Sequence, residues 1–174
     1  MNVNKQIYDF MCDVLEENKE VVFIGIGSSR AYLDSIGPRI GTELAKHYPY
    51  VYGTVEDPLH ALNAETKYSQ IKKRHPNANV VAIDAMVSKD YLGKIITGTG
   101  AIKPGAGIGK NIESIGSHCI KIATLTRGQE CYLRDKILNL SSEATVLREN
   151  LETNVSVISR AIVQALVDYN KKII

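Results

Sequence analysis

Two aspartates stand where an α/β protein would use them for chemistry. The stretch Val21 to Gly41, VVFIGIGSSRAYLDSIGPRIG, carries an apolar run, a Gly-rich corner and then Asp34, just ahead of the pair Gly37-Pro38. A second apolar run, Val80 to Asp84 (VVAID), ends on an aspartate. An unpaired carboxylate at the end of a buried strand is costly, so Asp84 needs donors, a partner or a metal. Two carboxylates in one cleft resist joint ionisation; one pKa rises and the pair can share a proton. One carboxylate then acts as base on a water, and the other protonates a carbonyl or a leaving amine. Asp34 has a plainer reading as well, because an aspartate ahead of a helix often caps it.

The other reactive residue types are fewer. His60, in EDPLHALN, sits in a loop before a helix and is the better histidine candidate. His118 shares strand parity with Ile120 and Ile122, which reads as a core position. His47 and His75 fall near prolines at helix ends, where a C-terminal cap is the expected role. Cys12, Cys119 and Cys131 are sparse and irregularly spaced, giving neither a disulfide framework nor a zinc ribbon. GIGSSR has Arg30 where a dinucleotide fingerprint needs its third glycine. KPGAGIGK has Pro104 and Asn111 where a Walker loop needs Gly and Ser/Thr. That segment instead reads as a shaped loop lining the cleft together with GIGSS; Lys103 and Gly105 of the loop, Arg30 of the corner and His60 are the residues expected to contact substrate.

The elements that position these residues follow from periodicity. Residues 3 to 17 space Val3, Ile7, Phe10, Met11, Val14 and Leu15 along one helical stripe. Val21–Ile26 is a buried strand. A helix follows from Asp34 or Ser35 to about His47, with Ile36, Ile40 and Leu44 on one face. Tyr50–Val55 reads as a short strand, Asn63–His75 as a helix and Asn79–Asp84 as the second buried strand, with a loop over Met86–Tyr91. Gly93–Gly100 is an edge strand and Ser117–Leu125 alternates as another. From Tyr132 onward the apolar step is helical, with a break near Asn139–Ser142. The C-terminal stripe would cover the sheet or form a dimer seam, making a homo-oligomer through this segment the alternative. Strands separated by such helices predict one α/β domain over residues 1–174, a three-layer α/β/α sandwich with a largely parallel or mixed sheet. In such sheets ligands gather at the carboxyl ends of the strands.

The bulk composition narrows the function classes. Hydrophobic residues make up 44% and charged residues 23% of 174, as in an ordinary globular domain. A net charge of +2, from 21 basic and 19 acidic residues, speaks against nucleic acid as a partner. No stretch has the roughly 20 apolar residues of a membrane span. The acids of MNVNKQIYDFMCDVLEEN argue against an export signal, and the cysteine usage fits a reducing cytoplasm.

GSSRAYLDSIGPRIGTEL, VYGTVEDPLHALN, VVAIDA and KPGAGIGK, in that order, resemble the YyaC-type sporulation proteins, a spore-protease-like family. The resemblance covers residues 20 to 127 and extends to the spore germination protease and the hydrogenase maturation proteases. It implies a phosphorylase/hydrolase-like fold, a protein or peptide substrate, and a spore or forespore location. It also implies that Asp34 and Asp84 are the essential acids. The maturation-protease branch implies a divalent metal of zinc or nickel type, held by Asp34, Asp84 and a histidine, with His60 and His118 both open as the third ligand. The protease branch implies no cofactor. The family's corner commonly reads Gly-Thr-Asp-Arg-Ser-Thr-Gly; here Ser29 replaces its acid, and Tyr32-Leu33 are bulkier. A third reading of the same fold is a non-catalytic sporulation factor that binds a protein partner.

Overall fold

The computed structural model describes residues 2–17, 19–30, 32–104, 113–126 and 142–173. Helix α1 spans Val3–Glu16, strand β1 Val21–Gly25, and a 3₁₀ turn Tyr32–Ser35 leads into helix α2, Ile36–Ala45. Strand β2 (Val51–Tyr52), helix α3 (Ala64–Arg74), strand β3 (Asn79–Ser88), strand β4 (Ile95–Thr99), strand β5 (His118–Thr126) and helix α4 (Ser142–Ile173) follow. The five strands form one sheet in the order β2-β1-β3-β5-β4. All neighbours run parallel except β4, which pairs antiparallel with β5 at the edge. The sheet is therefore mixed, and helices cover both of its faces.

Alternation divides the core into two layers. Phe23, Val81, Ile83, Ile120 and Ile122 face α1, α2 and α4, where Ile7, Met11, Ile40 and Leu44 meet them. Val22, Ile24, Val80, Ala82 and Cys119 face the other way, toward Tyr68 and Ile71 of α3 and toward Ile102 and Ile115. Both faces of the central strands are buried, which is why they read as continuous apolar runs. The stripe of α4 lies in the first layer: Leu147, Leu151, Val155, Ile158, Ile162 and Leu166 are buried there. Ile158 is fully buried, so Ile158→Ala is expected to cost about 2–5 kcal/mol, read as a lowered midpoint in chemical denaturation. Among the described residues, no helix is long and apolar enough to cross a membrane.

Two strands differ from their sequence expectation, each for a tertiary reason. The strand expected over Tyr50–Val55 pairs only through Val51 and Tyr52, because Leu59 takes the next place on that edge, beside Ile26. Strand β3 does not end at Asp84. It continues to Ser88, because β5 is long enough to pair with it as far as Thr126, past a register shift between Met86 and Val87. What ends near Asp84 is the pairing with β1, whose last partner is Ile83. The break expected near 139–142 falls largely outside the described residues.

Candidate active site

The turn that carries Asp34 can form only because two glycines let backbone approach backbone. Gly27 has φ +140°, and a Cβ there would lie 1.9 Å from the carbonyl oxygen of Asp34. Gly37, in the first turn of α2, would place a Cβ 2.2 Å from Ile26 O and 2.6 Å from Ile83 O. The N-terminus of α2 thus rests directly on the ends of β1 and of its pairing with β3. Gly-rich corners of this kind exist to remove side chains from a close contact.

Chain direction puts a topological switch point at this end of the sheet. From β1 the chain leaves through α2 to β2 on one side; from β2 it returns through α3, on the opposite face, to β3 on the other side of β1. The carboxyl ends of β1 and β3 therefore flank a topological switch point, the crevice where open α/β sheets bind ligands. Asp34 lies just beyond β1. Asp84 is the first residue of β3 past its pairing with β1.

Asp34 does not cap α2. Its Oδ2 accepts a hydrogen bond from Ser28 N at 2.7 Å, across the Gly-rich corner. Ser35 occupies the N-cap without a side-chain cap bond, and its hydroxyl donates to Tyr32 O at 2.5 Å. Burial raises the Asp34 pKa, while the Ser28 N–H and nearby His60 act against the rise. Asp84 is pushed up to about 7, first by burial and then by the charge of Asp34; the Ala85 N–H and Lys121 pull it back. The two carboxylates thus sense one another, and Asp84 keeps its proton toward neutral pH.

His60 stands beside this pair. Its Nδ1 accepts from Leu62 N at 3.2 Å, and its backbone N–H donates to Asn63 Oδ1 at 2.9 Å. The neutral ring therefore carries its proton on Nε2. Lys121 is a neighbour of Asp84 that strand periodicity alone does not reveal. It is the register partner of Asp84 on the neighbouring parallel strand, so the two share the α3 face. Alternation places Lys121 on the face opposite Ile120 and Ile122, but only the β3–β5 pairing brings it to Asp84.

The remaining candidates are distributed differently. His118 pairs in register with Val81, near the start of β3, three positions before Asp84 and on the other face. Its Nε2 pairs with Glu17 Oε1 at 3.1 Å and its Nδ1 with Ser117 Oγ at 3.0 Å. A histidine so placed is a structural partner of α1 rather than a third ligand to the aspartates. His75 caps α3, bridging Glu20 at 2.5 Å and Tyr52 Oη at 2.8 Å. Arg30 is exposed on the corner after β1 and Lys103 is exposed beside buried Ile102; neither forms an ion pair with either aspartate among the described residues. Gly105 lies outside the described residues. No group of three or more His, Cys, Asp or Glu among the described residues is placed to hold a metal.

Over residues 1–141 the chain matches the family described as a protein of unknown function, DUF1256. It is 35% identical over 156 residues to the uncharacterized protein YyaC of Bacillus subtilis (strain 168), a match covering 84% of this chain and 76% of that protein. Among solved structures it is similar to the NiFe hydrogenase maturation protease HycI from Thermococcus kodakarensis KOD1, with a TM-score of 0.46, 15% identity, and coverage of 87% of this chain and 97% of that one. It is also similar to a peptidyl-tRNA hydrolase in complex with N-propanol, with a TM-score of 0.47, 15% identity, and coverage of 88% and 95%. The chain belongs to the DUF1256 family and is a relative of YyaC.

Proposed function

We propose that this protein is a peptidase in which Asp34 and Asp84 share the acid–base work of peptide-bond hydrolysis, acting in the cytoplasm of the spore or forespore. The observation that carries the reading is the convergence of the two carboxylates on the crevice between β1 and β3. Asp34 is the group poised to ionise, with Ser28 N–H holding one oxygen and leaving the other for a water. As base it takes a proton from that water, whose oxygen adds to the scissile carbonyl carbon. Asp84, protonated because of burial and the neighbouring charge, gives its proton to the carbonyl oxygen. Collapse of the tetrahedral intermediate breaks the C–N bond: the proton held by Asp34 passes to the leaving amine, and one hydroxyl of the diol returns a proton to Asp84 as the carboxylic acid forms, restoring both aspartates. His60 and Lys121 supply positive or hydrogen-bonding character at the margins of the pair.

The pH profile tests the assignment. Hydrolysis is expected to be bell-shaped, falling as pH rises through about 7, where Asp84 loses its proton. On the acid side it falls as Asp34 becomes protonated. Labelled casein and a mixed peptide library, read by fluorescence and mass spectrometry, would supply the rates. Cleavage retained by both Asp34→Asn and Asp84→Asn would reject the reading.

A further inference from the structure

The turn that carries Asp34 is held from outside by a cluster on α4. Tyr32 Oη donates to Glu152 Oε1 at 2.8 Å. The Arg39 guanidinium pairs with the same carboxylate oxygen. Arg39 Nε also donates to Ser35 Oγ at 3.1 Å, and its Cζ lies 4.7 Å from the centroid of the Tyr32 ring. Arg148 of α4 adds a second guanidinium, 5.6 Å from the same centroid. Residues 32 and 35 bracket Asp34, and Arg39 grips both. Arg39 is in turn held by Glu152.

We infer that Glu152 is a positioning residue: through Arg39 and Tyr32 it fixes the 32–35 turn and so the place of Asp34 against Asp84. This rests on the two-aspartate reading above and adds a residue of α4 to it.

Two observations favour positioning over simple docking of the helix. The buried stripe of α4, from Leu147 to Leu166, already anchors it to α1 and α2. The cluster itself is partly exposed, with the Arg39 and Glu152 side chains at 31% and 54%, and exposed ion pairs add little to stability. Its geometric effect is larger than its energetic one, because small displacements of a catalytic group are expensive in rate. The family match ends at residue 141, just before α4 begins at Ser142, so this contact is contributed by a segment beyond that match.

The test uses the full chain with Glu152→Ala, which removes both bonds, and Glu152→Gln, which keeps an acceptor for Tyr32. Glu152→Ala is expected to lower kcat about tenfold with KM unchanged, with Glu152→Gln falling between it and the wild type, all at closely similar thermal midpoints. Independently of activity, the Ser28 amide resonance, shifted by its bond to the Asp34 carboxylate, should move in Glu152→Ala. An unmoved Ser28 resonance in Glu152→Ala overturns the inference, whatever the protein cleaves. A resonance that moves in Glu152→Ala, when the wild type hydrolyses no peptide, supports the positioning role and rejects the peptidase reading instead.

Discussion

Asp84→Asn is expected to lower hydrolysis by about 10³-fold or more while making the fold more stable above neutral pH. The two effects have one cause. In the unfolded chain Asp84 titrates near 3.8; in the folded protein burial and Asp34 raise it to about 7. Between these values the unfolded state releases a proton that the folded state keeps. The contribution of Asp84 to stability is therefore full below about pH 4 and is lost as pH rises through about 7. At about 1.4 kcal/mol per pH unit, the loss is on the order of 4 kcal/mol at most. Asn carries no titrating proton, so the variant escapes this decline. Chemical denaturation at pH 4 and pH 8.5 separates the cases: the variant should match the wild type in acid and exceed it in base. An equal difference at both pH values would show that Asp84 titrates as an ordinary carboxyl, and would remove its role as the acid.

Gly37→Ala is expected to be severely destabilising for a single added methyl, costing about 4 kcal/mol or more. The added Cβ would sit 2.2 Å from Ile26 O and 2.6 Å from Ile83 O. Ile83 is locked in a central strand, and Ile26 N donates to Ile83 O at 2.8 Å, so neither carbonyl has a flexible end that can retreat. Helix α2 must lift off the sheet, and it takes the Asp34 turn with it. Gly98→Ala is the matched control: nothing lies within 4 Å of a Cβ there, on edge strand β4. Urea denaturation of the pair should show a large drop in midpoint for Gly37→Ala and almost none for Gly98→Ala. Equal midpoints would mean that the helix–strand contact is looser than this packing requires.

The fold was largely legible because its signals are local. Period-3.6 stripes marked α1 and α2, β-branched apolar runs marked β1 and β3, and alternation marked β5 with Ile120 and Ile122 inward. The acids were legible for the same reason: each follows an apolar run that must be a buried strand. Strand ends were less legible, since the length of β3 depends on what β5 offers it rather than on its own residues.

By itself, the sequence determined the element types, the two apolar faces of each central strand, and the presence of an aspartate beyond each of two strands. The local backbone and the hydrophobic pattern are enough for that, because each residue's preference is expressed within a turn or a pleat. Tertiary structure alone decided who meets whom. It seated β1 between β2 and β3 and so opened the crevice at Asp84, set Lys121 beside that aspartate, and kept His118 with Glu17 on the far face. It also brought Glu152 across more than a hundred residues to Tyr32 and Arg39. Apolar periodicity says which side of an element is inside, but a long-range polar contact leaves no mark on that pattern. Its partners become neighbours only after the helices and strands have docked.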